Sequence, residues 1–304
     1  RDFLYKTLMK FIVLNLIFLL FTTSACLKDT IQPNNEKHLL ENPNSLNPTS
    51  YEATDDSHML LGNPDDSKPS EQFPNKYLID KTYYWVSYNN STHIPNWVSW
   101  HLDASYLGSI ERNKSFKSES TLPAKWSVIK SADYLNSGFD RGHNCPSADR
   151  TNSYESNLST FSMANIIPQA PNNNRKTWAN FEDYTRTLIK AKNEAFIIMG
   201  SYGSGGTGTL GFYKSINDAH TPITVPNRIW KVVVILPDGS NDLKRITSDT
   251  RVIAIDTPND QALNTDWRHY RTSVDAIEHA TGYNIMSNIP AAIQDIIEAK
   301  VDNL

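Results

Sequence analysis

Apolar and polar positions indicate strands along the chain from about residue 76 onward. Residues 77–90 (YLIDKTYYWVSYNN) and 96–105 (NWVSWHLDAS) are rich in aromatic and β-branched side chains, and turn-forming residues separate them. They predict a pair of strands. The runs 194–200 (EAFIIMG), 228–237 (RIWKVVVILP) and 251–258 (RVIAIDTP) are more continuously apolar, which predicts buried strands.

Two segments have the spacing of helices instead. Residues 177–193 place apolar or aromatic side chains at Trp178, Phe181, Leu188 and Ile189 with charges between them, which predicts an amphipathic helix. The stretch SVDAIEHATGY predicts a second helix that ends at Gly282. Strands and helices do not alternate regularly, so the pattern favours the α+β class.

The N-terminal pattern differs from that of a folded domain. Residues 11–21 (FIVLNLIFLLF) form an apolar run that follows Lys10 and precedes TTSA and Cys26. Its length is that of a signal peptide, and it is short for a membrane span. We expect residues 1–25 to be a signal peptide, with Met9 as its natural start, and the protein to be exported. SAC resembles a bacterial lipobox, so we expect a lipid on Cys26, with plain secretion as the alternative.

The next segment, residues 26–72, is rich in Asn, Ser, Pro and Asp and has no sustained apolar period. This composition predicts a tether with little fixed structure, followed by one folded domain over residues 73–304. The chain has 304 residues, of which 39% are hydrophobic, enough for a sizeable core. A formal net charge of -4 excludes a globally basic nucleic-acid-binding surface, so any such function must depend on a local site.

A glycine-rich turn at residues 203–208 (GSGGTG) fits the G-x-G-x-x-G pattern after an apolar run. A dinucleotide would need a helix to begin directly after these glycines. The sequence TLGFYKS that follows has no helix signal, and we expect a flexible loop.

The most informative stretch is GFDRGHNCPSADR, residues 138–150. His143 could be a general base, a metal ligand beside Cys145, or a packed polar residue. A zinc site would need more Cys or His at short spacing, and none occurs nearby. Asp140 and Arg141 crowd the histidine with charge, and Gly142 allows close backbone approach, which is typical of a site rather than of a packed core.

The tetrapeptide Asp140-Arg141-Gly142-His143 resembles the D-R-G-H motif of the DNA/RNA non-specific endonucleases, the family of the Serratia enzyme and endonuclease G. Residues 165–186 (NIIPQAPNNNRKTWANFEDYTR) resemble the second motif of that family, N-x-x-P-Q, then N-x-x-x-W, then E. The resemblance covers roughly residues 76–290. It implies a ββα-metal (His-Me finger) fold, with a central, mainly antiparallel sheet flanked by helices.

The resemblance also implies roles for single residues. His143 would be the general base, since imidazole titrates near neutral pH. Asn174, four residues before Trp178, would be the direct protein ligand of Mg²⁺, although Asn172 and Asn173 compete for this assignment. Glu182 would hold metal-bound water. Mn²⁺ could replace Mg²⁺ in a site of oxygen ligands.

Three arginines would contact phosphate: Arg141, Arg186 and Arg112. Trp178, Glu182 and Arg186 are spaced to lie on one helix face. Asp140, Asn165 and Trp178 are expected to support the site, Asn165 by hydrogen bonding and Trp178 within the core. Cys145 stands where the family commonly has an apolar residue, and we expect it to pack as a small hydrophobe.

These features predict an exported, lipid-anchored, Mg²⁺-dependent endonuclease that cleaves DNA and RNA with little sequence preference. Two alternatives stay open at this stage. One is a catalytically silent nucleic-acid-binding module with the same fold, and the other is a phosphodiesterase that acts on small nucleotides. A homodimer is compatible with the sequence.

Overall fold

A single seven-stranded sheet forms the centre of the structure, a computed structural model that describes residues 55–304. The strands of the described residues are β1 (Tyr77–Asp80), β2 (Trp85–Asn89), β3 (Ile94–Leu102), β4 (Asp140–His143), β5 (Ile166–Gln169), β6 (Asn193–Tyr202), β7 (Gly206–Gly208), β8 (Gly211–Tyr213), β9 (Ser215–Ile216), β10 (Ile223–Thr224), β11 (Arg228–Pro237), β12 (Arg251–Pro258) and β13 (Arg271–Thr272). The central sheet has the order β1-β2-β3-β6-β11-β12-β13, and each neighbouring pair is antiparallel.

Helices flank this sheet and connect its strands. The α-helices are α1 (Tyr154–Ser159), α2 (Ala179–Lys190), α3 (Asp242–Arg245), α4 (Val274–Thr281) and α5 (Ala291–Ile297). Short 3-10 turns cover Ala104–Tyr106, Ser131–Tyr134, Ser147–Asp149, Met163–Asn165 and Trp267–Tyr270. One further turn, Asn173–Trp178, is π-helical and leads directly into α2.

The strands and helices expected from the apolar pattern are present. Strands β2 and β3 form the predicted pair, and the three continuous apolar runs are β6, β11 and β12. Helix α4 ends at Gly282, whose φ of 75° is the left-handed conformation that glycine adopts without strain. The α+β class and the mainly antiparallel central sheet are confirmed.

Side chains alternate between the two faces of the sheet and build two separate hydrophobic cores. On β6, Ile197 and Met199 point to one core, whereas Phe196 and Ile198 point to the other. We call the first the site face, because Trp178 of the π-helical turn packs in the same core. The second is the far face.

The folded domain begins earlier than the predicted boundary at residue 73. Met59, Leu60 and Leu61 are buried in the far-face core, and Asn288 donates hydrogen bonds to the carbonyls of Leu60 and Leu61. Burying an aliphatic side chain stabilises the fold by about 1.5–3 kcal/mol. The prediction that the tether extends to residue 72 was therefore wrong. The segment is polar overall, but the three apolar residues 59–61 within it pack into the core.

The predicted signal peptide, the lipidated Cys26 and the tether up to residue 54 lie outside the described residues. Within residues 55–304, none of the helices has the length and apolar character needed to cross a membrane.

A β-hairpin replaces the flexible loop expected at residues 203–208. Strands β7 and β8 pair antiparallel, and the amide of Thr209 donates a hydrogen bond to the carbonyl of Gly138, two residues before β4. A strand and not a helix follows the glycines, so this segment lacks the helix N-terminus that a dinucleotide-binding turn requires.

Candidate active site

Strands β4 and β5 and helix α2 form the frame that carries the sequence motifs. The two strands pair antiparallel, with His143 opposite Ile166 and Asp140 opposite Gln169. Gly142 is required in this frame, because a Cβ atom there would lie 2.2 Å from Oε1 of Gln169. The two strands and the following helix are the ββα unit that the resemblance implies.

His143 is enclosed by aromatic rings. Its ring centroid lies 5.4 Å from that of Phe116 and 4.9 Å from that of Phe161, and the residue is only 8% exposed. Nε2 is buried and has no hydrogen-bond partner among the described residues. Among the described residues, Nδ1 is not found to be a buried nitrogen without a partner, and this distinguishes the two ring nitrogens.

Two arginines lie beside this histidine, each over one of the same aromatic rings. The guanidinium carbon of Arg112 is 5.1 Å from the centroid of Phe161, and that of Arg141 is 4.8 Å from the centroid of Phe116. Burial, together with the smaller effects of the positive charges of Arg112 and Arg141, lowers the pKa of His143 to about 3. The imidazole is therefore neutral at physiological pH and able to accept a proton.

The three consecutive asparagines make different contacts. The amide of Asn172 donates to the carbonyl of Gln261, and the amide of Asn173 donates to Thr257 and Pro258. Only Asn174 is directed to the D-R-G-H strand, where its Nδ2 donates to Oδ2 of Asp140 at 2.8 Å. The hydrogen bonds thus favour Asn174 over its two neighbours as the metal ligand.

Asp140 holds Asn174 in a defined orientation. The carboxylate of Asp140 accepts the Asn174 amide and two further hydrogen bonds from Arg175, at 2.8 and 2.6 Å. Because Nδ2 of Asn174 is fixed by Asp140, Oδ1 remains as an acceptor, and no described residue donates to it. Asn174 is half-buried, and an amide oxygen without a donor among the described residues fits a hard divalent cation that keeps most of its water ligands.

Glu182 is paired with a buried lysine. Nζ of Lys231 lies 3.1 Å from Oε1 of Glu182, and the ammonium also lies 5.4 Å from the Trp100 ring and 5.3 Å from the Trp178 ring. The lysine side chain is 2% exposed. Burial raises the pKa of Glu182, while Lys231 and then Arg186 act against this. The lysine thus favours the ionised form of the carboxylate.

Arg186, expected to contact phosphate, is engaged by two carboxylates. NH1 donates to Oδ1 of Asp149 at 2.7 Å and NH2 donates to Oδ1 of Asp183 at 2.7 Å. Asp149 is itself held by the indole nitrogen of Trp100. The guanidinium lies on the Glu182 side of helix α2, but its donors are directed to protein. Its role toward phosphate stays a prediction.

Arg112 connects the two parts of the site. Its positive charge interacts with both His143 and Glu182. Unlike Arg186, Arg112 donates no hydrogen bond to a described residue, and it is exposed. Its guanidinium is therefore available to a ligand.

Asn165 orders the chain immediately after His143. Its amide accepts from the backbone of Cys145 and donates to the carbonyls of Cys145 and Thr160, while its own carbonyl accepts from Asn144. Cys145 is fully buried, and burial raises the pKa of its thiol to about 12. The thiol is therefore protonated and packs as a small apolar group, as its position in the sequence suggested.

Several residues of the site were not found from the sequence. Lys231 gave a usable signal, since a lysine within the apolar run RIWKVVVILP needs a buried partner. Arg175 is adjacent to the asparagine triplet but gives no signal of its own. Phe116 and Phe161 could not have been identified, because their proximity to His143 depends on loops far from the motif in sequence.

The ββα unit, the enclosed histidine and the oxygen-donor site define a ββα-metal nuclease. The family model of the DNA/RNA non-specific endonucleases matches residues 64–292. The chain belongs to this family and is a metal-dependent endonuclease of DNA and RNA.

Similar proteins support the same assignment. A nuclease of Nostoc sp. is 47% identical over 246 residues, which cover 81% of this chain and 86% of the relative. A mitochondrial nuclease of Saccharomyces cerevisiae is 29% identical over 223 residues, 70% of this chain and 66% of the relative. The solved structure of an EndoG/EndoGI complex aligns with a TM-score of 0.61 at 22% identity, covering 76% of this chain and 91% of that one, and shows the same fold.

Proposed function

We propose that His143 is the general base of hydrolysis, acting through Nδ1. Water loses a proton to this nitrogen as its oxygen forms a bond to phosphorus, and the bond from phosphorus to the leaving oxygen breaks. Nε2 is buried and has no hydrogen-bond partner among the described residues, which favours Nδ1 as the nitrogen that receives the proton. The enclosed, neutral histidine between two arginines is the observation that carries this proposal.

Arg112 and Arg141 bind the phosphate in this proposal. Their guanidinium groups lie over the two rings that enclose His143, so an anion between them is close to the base. The same anion offsets the positive charges that lower the histidine pKa. Substrate binding therefore raises the pKa of His143, which makes the imidazole a stronger base, although burial, the largest cause of the low pKa, persists.

Asn174 and Glu182 hold the metal, Asn174 through Oδ1 and Glu182 through water. Oxygen donors of this kind suit Mg²⁺, and Mn²⁺ is compatible with the same set. When bound, the ion supplies charge stabilisation at the leaving oxygen and phosphorus. Asp140 and Lys231 orient the two protein groups.

The residues assigned here predict cleavage of nucleic acid with little preference for base sequence. Every residue assigned here addresses phosphate, water or metal, and such contacts position a nucleic acid without identifying its bases. A silent binding module would not need an enclosed base beside a metal-binding amide, and a phosphodiesterase limited to small nucleotides would not cut a closed circular DNA.

Cleavage of plasmid DNA and of RNA tests the proposal. The chain is assayed with Mg²⁺, with Mn²⁺ and with EDTA, alongside His143→Ala and the fold control Cys145→Ala. We expect metal-dependent nicking of both polymers that His143→Ala abolishes. Equal activity of His143→Ala and the wild-type chain would contradict the assignment of the base.

We also propose that the protein is exported and anchored in a bacterial envelope through a lipid on Cys26. The support is the apolar run 11–21, the basic Lys10 and the lipobox-like SAC. Expression with labelled palmitate, compared with Cys26→Ser, tests the anchor, and label on the variant would contradict it. Light scattering of the purified protein tests the homodimer that the sequence allows.

A further inference from the structure

Three carboxylates converge near the C-terminus, away from the residues assigned to catalysis. Asp275 and Glu278 lie three residues apart on helix α4, and Glu298 follows helix α5. One oxygen of each lies within 4.8 Å of the others. Asp275 is exposed, Glu278 is half-buried and Glu298 is only 5% exposed. We call these residues the acidic triad.

The charges of the acidic triad have no cationic partner in residues 55–304. The carboxylate of Glu278 accepts a hydrogen bond from the amide of Ile285 at 2.6 Å. Oε1 of Glu298, in contrast, is buried and accepts no hydrogen bond. Burying a charged group without a partner costs several kcal/mol, so this arrangement needs an explanation.

A neighbouring carboxylate shows how the same region pairs its charges elsewhere. Asp302 is also buried, and it accepts two hydrogen bonds from Arg251, while Arg271 lies within 3.9 Å of it. Glu298 lies four residues away, and it forms no ion pair among the described residues. Burial first, and then the charges of Glu278, Asp275 and Asp295, raise its pKa to about 7.

We propose that the acidic triad binds a hard divalent cation, with Ca²⁺ as the preferred ion. All the donors are carboxylate oxygens, which suit Ca²⁺ and Mg²⁺ rather than softer metals. Ca²⁺ accepts irregular geometry and six to eight oxygen ligands, and the exposed side at Asp275 leaves room for water to complete the shell. Mg²⁺ demands near-octahedral geometry, which three converging carboxylates satisfy less well.

The cation would join helix α4 to the chain end that follows helix α5. The two segments are already linked by one backbone hydrogen bond, from the amide of Asp275 to the carbonyl of Glu298 at 3.1 Å. Helix α4 packs by Val274 and Ile277 into the far-face core. The ion is therefore expected to stabilise the far side of the domain without contacting the groups assigned to hydrolysis.

Thermal unfolding of the full chain tests the site. The protein is stripped with EDTA, dialysed and then titrated with CaCl₂ or with MgCl₂. Glu298→Gln removes the buried charge but keeps its shape, and Asn174→Ala keeps the acidic triad but alters the assigned metal ligand. We expect Ca²⁺ to raise the Tm of wild type and Asn174→Ala by about 2–5 °C at saturation, with no rise in Glu298→Gln.

Several outcomes would overturn the proposal. The first is that the Tm of wild type does not rise at about 10 mM Ca²⁺, a concentration above the dissociation constants of the weakest protein Ca²⁺ sites. The second is that the Tm of Glu298→Gln rises as much as that of wild type. If the Tm of wild type does not respond to Ca²⁺ and metal-free Glu298→Gln is more stable than metal-free wild type, Glu298 holds a proton instead of binding an ion. Asp275→Asn, at an exposed position, replaces Glu298→Gln if that variant does not fold.

The result can be read independently of the nuclease assignment. Plasmid cleavage with Mg²⁺ by Glu298→Gln should equal that of wild type. Loss of cleavage in His143→Ala with a retained Ca²⁺ shift in Tm would separate the two sites completely.

Discussion

Carboxylates in two regions of this protein differ in whether they form ion pairs with cationic side chains. In the active site each buried or half-buried carboxylate has its own cation: Asp140 has Arg175, Asp149 has Arg186 and Glu182 has Lys231. In the acidic triad, Asp275, Glu278 and Glu298 converge, and within residues 55–304 none of them forms an ion pair.

This difference shows two uses of negative charge. A carboxylate paired with protein is neutralised in advance, so it acts as a fixed support that orients a neighbouring group. Converging carboxylates with no protein cation repel one another and are relieved only by a proton or a metal ion. The metal ligand proposed in the active site is thus a neutral amide, whereas all three groups of the acidic triad are carboxylates.

The largest effect is expected at His143, the proposed general base. His143→Ala should lower kcat for plasmid cleavage by about 10²–10⁴-fold, because general-base catalysis contributes this much. His143→Gln should behave similarly, since an amide cannot accept the proton. Single-turnover cleavage at saturating Mg²⁺ measures the effect, and a loss below tenfold would assign the base elsewhere.

The ion pair between Glu182 and Lys231 can be removed by substituting the lysine. Lys231→Met should destabilise the fold by about 1–3 kcal/mol, because it leaves the half-buried Glu182 carboxylate without its hydrogen-bonded cation. The double variant Lys231→Met with Glu182→Gln removes both charges and should recover part of this loss. Urea unfolding of the three proteins measures the free energies of unfolding, and an unchanged midpoint for Lys231→Met would contradict the support role.

Enclosure of His143 also predicts a dependence of stability on pH. Burial and two arginines lower its pKa to about 3 in the folded state, whereas an exposed imidazole titrates near 6.5. The unfolded chain therefore binds more protons between these values, and stability falls as pH decreases through this range. At pH 5 the histidine should cost about 2 kcal/mol relative to neutral pH.

Comparison with a histidine-free variant isolates this contribution. His143→Gln should lose less stability than wild type between pH 7 and pH 5, by urea unfolding at each pH. His58, whose pKa burial also lowers to about 3, and Glu298 are common to both proteins, so their effects cancel in the difference. Parallel pH profiles of the two proteins would rule out a depressed histidine pKa.

The sequence predicts the positions that belong to motifs, but not the groups that support them. Periodicity located β6, β11, β12 and α2, because each is long and strongly patterned. The motif spacing also favours Asn174 over its neighbours, since Trp178 sets the register of the asparagines, and the hydrogen bond to Asp140 agrees with this choice. The partners of these residues lie on distant segments: Lys231 is 49 residues from Glu182, and Asp140 is 34 residues from Asn174.

The two errors have similar physical origins. The apolar residues 59–61 are too few to produce a periodic signal, and only the far-face core shows that they are buried. Residues 206–213 are glycine-rich, which indicates a loop by composition, yet pairing of β7 with β8 and the bond to Gly138 give them a defined structure. In both cases long-range contacts decide the outcome.

A smaller effect is expected where a carboxylate supports the metal ligand. Asp140→Asn should raise the Mg²⁺ concentration for half-maximal cleavage about tenfold, because the amide of Asn174 loses a charged acceptor. At saturating Mg²⁺ most activity should return. Glu71→Gln, which removes a surface carboxylate paired with Lys125, is the matched control and should leave the Mg²⁺ titration unchanged.

The smallest effect is expected from the cation that neutralises Asp140. The Arg175 side chain is 67% exposed, and exposed ion pairs contribute only about 0–1 kcal/mol. Arg175→Ala should therefore shift the Mg²⁺ requirement by less than about threefold, because water can replace the guanidinium at Asp140 while the hydrogen bond from Asn174 persists. The same Mg²⁺ titration measures this shift.

An effect as large as that of Asp140→Asn would mean that the charge of Arg175, and not merely the acceptor atom of Asp140, fixes the metal ligand. An effect on KM alone would instead place Arg175 among the groups that contact nucleic acid.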